Sequence, residues 1–246
     1  MTDAANYAEA VLANSSFSLA STAMDFSKNW VAGSSSPEII FAYVNNSRAS
    51  SPLNFTLYVN DTDGSWNYAP SDWCYSSLFA DDNTLSRKGD VRLKATFTSQ
   101  DANRVIKYPN GTYQLAETSD YTCTPVVISR ISEMYLVKAE ALGKTNGAAA
   151  LVEYMKKRYT TAPSEAAIKA LSDKEYQTLI LDERRREFYA EGMRWQDIKR
   201  TNRLELLETL DGRTYLMYYP IPQDEIDMAG TVAYPQNPGY AGYTGN

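Results

Sequence analysis

Apolar positions fall on a helical period at the start of the chain and again through its second half, with a long irregular stretch between. Ala5, Ala8, Val11 and Leu12 share one face over residues 2–13 and predict a short amphipathic helix. Pro37 then introduces Glu38-Ile39-Ile40-Phe41-Ala42-Tyr43-Val44, an apolar run of strand length. Across residues 45–125 helical periodicity is weak, and Ser, Asn, Asp, Gly and aromatic residues dominate. Within this stretch Phe55–Val59 and Ser65–Tyr68 flank an Asp63-Gly64 turn and predict a β-hairpin, on which Trp66 and Tyr68 point to one face.

From Val126 the pattern becomes helical. Ile128, Ile131, Tyr135, Leu136 and Ala139 predict one helix ending near Gly143. Leu151, Val152, Tyr154 and Met155 predict a second, capped by Thr145 or Asn146 and running to about Tyr159. Joined by a short turn, the two make a helical hairpin of tetratricopeptide-like length. Ser172-Asp173-Lys174-Glu175 is a capping box opening a third helix, on which Leu181, Phe188 and Trp195 recur every seven residues. A fourth short helix is expected over 203–210, and the Pro-rich tail from Met217 is not expected to be regular helix. The fold class expected is mostly α, with tetratricopeptide-like helical hairpins supporting an irregular loop-rich lobe that carries a short β-hairpin. With no flexible linker in view, residues 1–246 read as a single domain: a loop-rich lobe over 1–125, then helical hairpins and a Pro-rich tail over 126–246.

Composition narrows the chemistry. The 246 residues contain no histidine, which removes imidazole-based triads, imidazole zinc sites and the usual general base near neutral pH. A net charge of −6 argues against nucleic acid and against a polybasic membrane patch. Cys74 and Cys123 form neither a CxxC pair nor a metal cluster, and free thiols or one disulfide both stay open. No run of about 18 apolar residues could span a bilayer as a helix. The opening residues carry neither a basic n-region nor an apolar h-region, so no export signal is expected in the chain as given, and its start inside a predicted helix reads as that of a fragment.

Three acidic features invite catalytic readings. Glu183, Glu187 and Glu191 recur at four-residue intervals, but Arg184, Arg185, Arg186, Arg194, Lys199 and Arg200 interleave with them. Carboxylates beside guanidinium groups stay ionised, so a structural ion-pair network is the stronger reading. Asp61-x-Asp63-Gly64 lacks the carboxylates an EF-hand requires at the ends of its loop, and a turn explains it. Asp81, Asp82 and Asp90 could supply a glycosidase pair, yet thirty acidic residues make such pairs easy to find by chance. No catalytic residue, metal or cofactor is expected, and the chain is not read as an enzyme.

Nineteen tyrosines and four tryptophans outnumber seven phenylalanines. Trp66, Tyr68, Trp73, Tyr75 and Phe79 lie within fourteen residues, beside Asn67 and Asp72. Aromatic faces match the C–H face of a sugar, and nearby amides and carboxylates match its hydroxyl rim. The bland alternative, rings filling the core of a loop-rich lobe, is the better expectation for any single ring. The candidate ligand residues are Trp66, Tyr68, Trp73 and Tyr75 as platforms, with Asn67 and Asp72 as hydroxyl partners.

Three segments, in order, resemble the SusD/RagB family: ISRISEMYLVKAEAL from Ile128, LDERRREFYAEGMRWQDIKR from Leu181, and YYPIPQDEIDMAG followed by YPQNPGY in the tail. Pro37–Phe41 and Asp90-Val91-Arg92 resemble weaker landmarks of the same family. The resemblance implies helical hairpins behind a glycan-binding face that captures oligosaccharide or polysaccharide without cleaving it. It further implies delivery to a SusC-like TonB-dependent transporter, at the extracellular face of the outer membrane. Attachment there would be only through a lipid anchor absent from this chain. Some relatives bind peptides. Family members are about twice this length, so the resemblance implies that this chain is a carboxy-terminal fragment. The alternative is a helical-repeat protein–protein adaptor without its own small-ligand site, whose aromatic loops would be buried.

Overall fold

Ala5 and Ala8 are buried on one side of α1 (Thr2–Leu12), as the periodicity predicts. The computed structural model describes residues 2–31, 36–44, 69–98, 104–108, 124–207, 210, 212–229 and 234–241. The expected Asp63-Gly64 hairpin, with Trp66, Asn67 and Tyr68, lies outside the described residues, as does Cys123. The described residues gather into two compact units, 1–191 and 192–246.

In the first unit α1 is followed by α2 (Ala23–Ser27), β1 (Ile39–Tyr43), β2 (Lys88–Asp90), α3 (Val91–Thr96), β3 (Val126–Arg130), α4 (Ile131–Arg158), β4 (Tyr159–Thr161), α5 (Glu165–Ala170) and α6 (Asp173–Glu187). The fold is mostly helical, with two small antiparallel sheets among the described residues. β1 pairs with β3 and β2 with β4, so both sheets join the loop-rich half of the chain to the helical half. Ile128 therefore lies on a strand and not on the helix expected for it. The β-branched run Val126-Val127-Ile128 suits a pleated surface, and its distant partner, β1, is invisible to local periodicity.

α4 is the expected helical hairpin. Its course breaks at Gly143, whose φ of 67° and ψ of 175° belong to a region that essentially only glycine occupies. Leu136, Ala139, Leu151, Tyr154 and Met155 are buried along it, and α1, α5 and α6 pack against it. Gly147 sits where a Cβ would come within 2.2 Å of the Ala139 carbonyl oxygen, so the two arms approach backbone to backbone. The Tyr176 hydroxyl on α6 donates to that same carbonyl at 2.8 Å. The capping box of α6 forms as read: the Ser172 hydroxyl accepts from the Glu175 amide, and the Glu175 carboxylate accepts from the Ser172 amide.

The third helix does not run on to Trp195. α6 stops at Glu187; Ala190 and Gly192 then take left-handed conformations, with φ of 62° and 79°, before α7 (Met193–Thr201) begins. Leu181 and Phe188 are buried in the first unit, while Trp195 packs against the Ile198, Leu210 and Met217 core of the second. Left-handed residues end a helix whatever its apolar period, and Gly192 supplies the conformational freedom for one of them. The helix expected over 203–210 is, among the described residues, only a 3₁₀ turn at Leu204–Leu206. The Pro-rich tail does hold one short helix, α8 (Gln223–Met228), which Pro222 introduces from the cap position. There its missing N–H breaks no helical hydrogen bond.

Candidate functional site

Trp73 opens a short π-helical turn, Cys74–Leu78, whose Phe79 amide donates to the Cys74 carbonyl. This geometry turns Cys74, Leu78 and Phe79 inward, onto Phe97 and Val105, and leaves Trp73 outside. Phe79 meets Phe97 edge-on with ring centroids 5.4 Å apart, so it is a core residue, as the bland reading of the aromatic cluster holds. Tyr75 is half-buried, its ring tilted against Phe97 at 5.4 Å. Burial, with the negative charge of Asp72 among the lesser causes, pushes the Tyr75 hydroxyl pKa up. Cys74 is a buried free thiol, 3.5 Å from the Tyr189 hydroxyl.

Trp73 is 41% exposed, and the Arg185 guanidinium lies over its ring, 4.3 Å from the centroid. The neighbouring arginines are spoken for. Arg184 pairs with Glu133 and Arg186 with Glu183, whereas Arg185 has no carboxylate partner among the described residues. The result is an indole held at the surface by a cation–π contact, with exposed Asp72 beside it in sequence. Of the six candidate ligand residues, the described structure places Asp72 and Trp73 at the surface and Tyr75 partly beneath it. Arg185 is the member that sequence reading missed. Its signal was the excess of base over acid at 184–186, which local charge pairing cannot absorb.

The acidic run resolves into a buried network behind this surface. Glu187 accepts from Arg158 Nε at 2.9 Å, Arg92 Nη1 at 3.3 Å, Arg130 Nη1 at 2.5 Å and the Tyr154 hydroxyl at 2.8 Å. Glu183 accepts from Arg92 and Arg186, each at 2.9 Å, and from the Tyr159 hydroxyl at 2.6 Å. Glu191, although beyond the end of α6, still reaches Arg130 at 2.9 Å and also binds Lys107. Asp90 caps α3 by accepting from the Arg92 amide and holds the same residue's guanidinium at 2.7 Å, which gives Asp90-Val91-Arg92 a structural purpose. Glu38, read only as the start of a strand, is fully buried and accepts from Arg158 at 2.7 Å and Asn29 at 2.8 Å.

Burial alone would raise the Glu187 carboxyl pKa, but Arg158 and Arg130 overcome it and hold the group well below the usual carboxylate range. Glu183 is lowered in the same way, burial being outweighed by Arg92 and Arg186. Burial brings Lys107 down to about 8 despite Glu191. Carboxyl groups held low by buried guanidinium partners, as Glu183 and Glu187 are, make poor proton donors near neutral pH, so this cluster acts as a frame. The other acids once weighed as a glycosidase pair are also engaged: Asp82 accepts from the Thr84 and Leu85 amides and Asp81 from the Gly89 amide. Among the described residues, no group of three or more Asp, Glu, Cys or His could hold a metal ion, and no helix is long and apolar enough to cross a membrane.

Comparison with known proteins follows this geometry. SusD-like protein P38 of Formosa agariphila is 30% identical over 142 residues, which is 52% of this chain and 27% of that protein. A SusD superfamily protein from Bacteroides thetaiotaomicron superposes with a TM-score of 0.66 at 23% identity, over 95% of this chain and 56% of the other. Surface glycan-binding protein A from the same organism, solved in complex with laminarihexaose, superposes with a TM-score of 0.58 at 20% identity, over 95% of this chain and 58% of its own. The chain thus spans little more than half the length of these solved structures. The sequence pattern of the SusD family matches residues 71–213, from just before Trp73 through every member of the acidic–basic frame described above except Glu38 and its partner Asn29. By that match, the chain belongs to the SusD family.

Proposed function

We propose that this chain is part of a non-catalytic glycan-capturing protein, and that Trp73 is a stacking platform for a sugar ring. The carrying observation is the exposed indole fixed by Arg185 at 4.3 Å. An aromatic face held still in water presents apolar area at little entropic cost, which suits the C–H face of a pyranose. Asp72 supplies a hydroxyl acceptor beside it. Tyr75, packed on Phe97 two residues along the chain from Trp73, offers a ring edge, and Trp66, Asn67 and Tyr68 are the further proposed members of the site. The laminarihexaose complex of surface glycan-binding protein A supports this assignment at the level of the fold. The ionised, inward-facing acids support binding without hydrolysis.

Family membership extends the proposal to the setting: an outer-membrane surface lipoprotein that hands oligosaccharide to a SusC-like TonB-dependent transporter. The exposure of Trp73 favours this reading over a helical-repeat adaptor, for which the aromatic loops would be buried. Native affinity electrophoresis of the chain through gels containing laminarin, xylan, pectin, mannan or alginate tests the binding claim. One polysaccharide is expected to retard the wild type, and Trp73→Ala to weaken that interaction by ~2 kcal/mol, about thirtyfold, as truncation of a central ring does. Trp73 is a surface residue, so the variant should melt as the wild type does. No retardation in any gel, or retardation indifferent to Trp73→Ala, would contradict the proposal.

A further inference from the structure

The second unit contains a cleft of about 580 Å³ that no feature discussed so far explains. One side is the last turn of α7, where Asn202 takes a left-handed conformation, φ 53°, and receives the end of the helix. Lys199 and Asn202, three residues apart, both line that side. Buried Met217 also lines it, with Thr214, Tyr215 and Tyr218 from the 3₁₀ turn Thr214–Met217 and the residue after it. The size is that of a small-molecule site.

Its walls are pinned by the two tail motifs. Gln236 Oε1 accepts from the Ile221 amide at 2.7 Å and its Nε2 donates to the Ile221 carbonyl at 2.8 Å. Asn237 Nδ2 donates to the Tyr219 carbonyl at 2.8 Å, and the Tyr240 hydroxyl to the Tyr218 carbonyl at 2.7 Å. Gly239, with φ 90°, lies so close to Tyr215 that a Cβ would come within 2.3 Å of its ring. The Pro-Ile-Pro and Gln-Asn-Pro-Gly-Tyr segments therefore clasp each other and hold the Tyr215–Tyr218 wall in place.

Of the polar side chains lining this cleft, Asn237 is committed to the Tyr219 carbonyl and four others are not. Among the described residues, the Lys199 ammonium, the Asn202 amide and the Thr214 and Tyr218 hydroxyls have no hydrogen-bond or carboxylate partner. The acids nearest in sequence to Lys199 serve other bases: Asp197 pairs with Arg200 at 2.8 Å and Glu205 with Arg203 at 2.5 Å. No Asp or Glu is among the described residues lining the cleft. Tyr218 is 65% exposed, with the Lys199 ammonium 5.7 Å from its ring centroid. A lysine in the last turn of a helix is stabilising by itself. That role does not account for two further free polar groups, on Asn202 and Thr214, that line the same cleft with it beside the Tyr218 ring.

We propose that this cleft binds a uronic-acid residue of an acidic glycan. Lys199 pairs with the sugar carboxylate, Asn202 and Thr214 bond its hydroxyls, and Tyr218 covers its C–H face. A bare inorganic anion would call for several cations, and among the described residues lining the cleft Lys199 is the one cation. This proposal shares no residue with the Trp73 platform and does not rest on it.

Calorimetry on the full chain tests it, using trimers of galacturonate, guluronate and glucuronate, each beside its carboxyl-reduced neutral counterpart. At least one acidic trimer is expected to bind about tenfold more tightly than its neutral form, the contribution of one charge-assisted bond. Lys199→Gln should erase that difference, Tyr218→Ser should weaken both forms, and Trp73→Ala should change neither. Lys199 and Tyr218 are exposed, and unchanged circular dichroism melts would show both variants folded. Failure of all three acidic trimers to bind, or discrimination that survives Lys199→Gln, would overturn the proposal. Binding lost with Trp73→Ala would also overturn it, and would leave the Trp73 platform standing.

Discussion

Glu187 is a meeting point of four buried side chains in the first unit. Arg92, Arg130, Arg158 and Tyr154 all converge on it, and none of these is exposed by more than about one per cent. Replacing it with glutamine keeps the shape and removes the charge, leaving three buried guanidinium groups short of a counter-ion. Breaking a buried pair in this one-sided way costs ~3–5 kcal/mol, far more than the pair contributes over a matched apolar packing. Glu187→Gln should therefore lower the urea midpoint by that equivalent, or prevent folding. A change below ~1 kcal/mol would show the network to be dispensable. The sequence revealed that these acids belong to an ion-pair network, because bases interleave with them. It did not reveal the partners. Only Glu183–Arg186 is a helical neighbour pair, while Glu187 is served by arginines 29, 57 and 95 residues away. Residue spacing on one helix cannot register that.

At the scale of elements, local signals were read where local physics decides. The capping box at Ser172 and the hairpin break at Gly143 are both legible, since each is set by a few adjacent residues. The end of α6 was missed because an apolar period of seven continues through Phe188 to Trp195 while the backbone turns left-handed at Ala190 and Gly192. Ile128 was misplaced because its strand partner lies nearly ninety positions earlier in the chain. The aromatic candidates divided for a similar reason: Phe79 and Trp73 look alike in sequence, and only the π-helical turn sends one inward and the other out. Gly143 and Gly147 offer a paired test of the hairpin. A Cβ at Gly143 meets nothing within 4 Å, so Gly143→Ala isolates backbone strain and should destabilise by ~1–3 kcal/mol in urea denaturation. At Gly147 the backbone is ordinary and the obstacle is the Ala139 carbonyl. A neutral Gly143→Ala would mean that the arms are joined by some other turn.

Across the whole first unit, the network ties Glu38, Asp90–Arg92, β3, the end of α4 and α6 into one electrostatic body. Its pH response follows from the direction of the carboxylate shifts. Glu183 and Glu187 have folded pKa values below the 4.5 of the unconstrained group, and Glu187 lies well below it. The unfolded chain then binds more protons than the folded one at pH values between the two. Stability from these groups is full above pH 4.5 and drains away as pH falls through the lower, folded values. Each unit of depression corresponds to ~1.4 kcal/mol. Urea denaturation at pH 7, 5, 4 and 3 should show little change over the first step and a steepening loss after it. Because the acids bind five separate segments, that loss should occur as a single transition for the first unit, with hydrogen exchange in α4 and α6 accelerating together. Separate acid transitions for α4 and α6 would show that the frame is a set of independent pairs and not the common tie that holds the Trp73 surface in place.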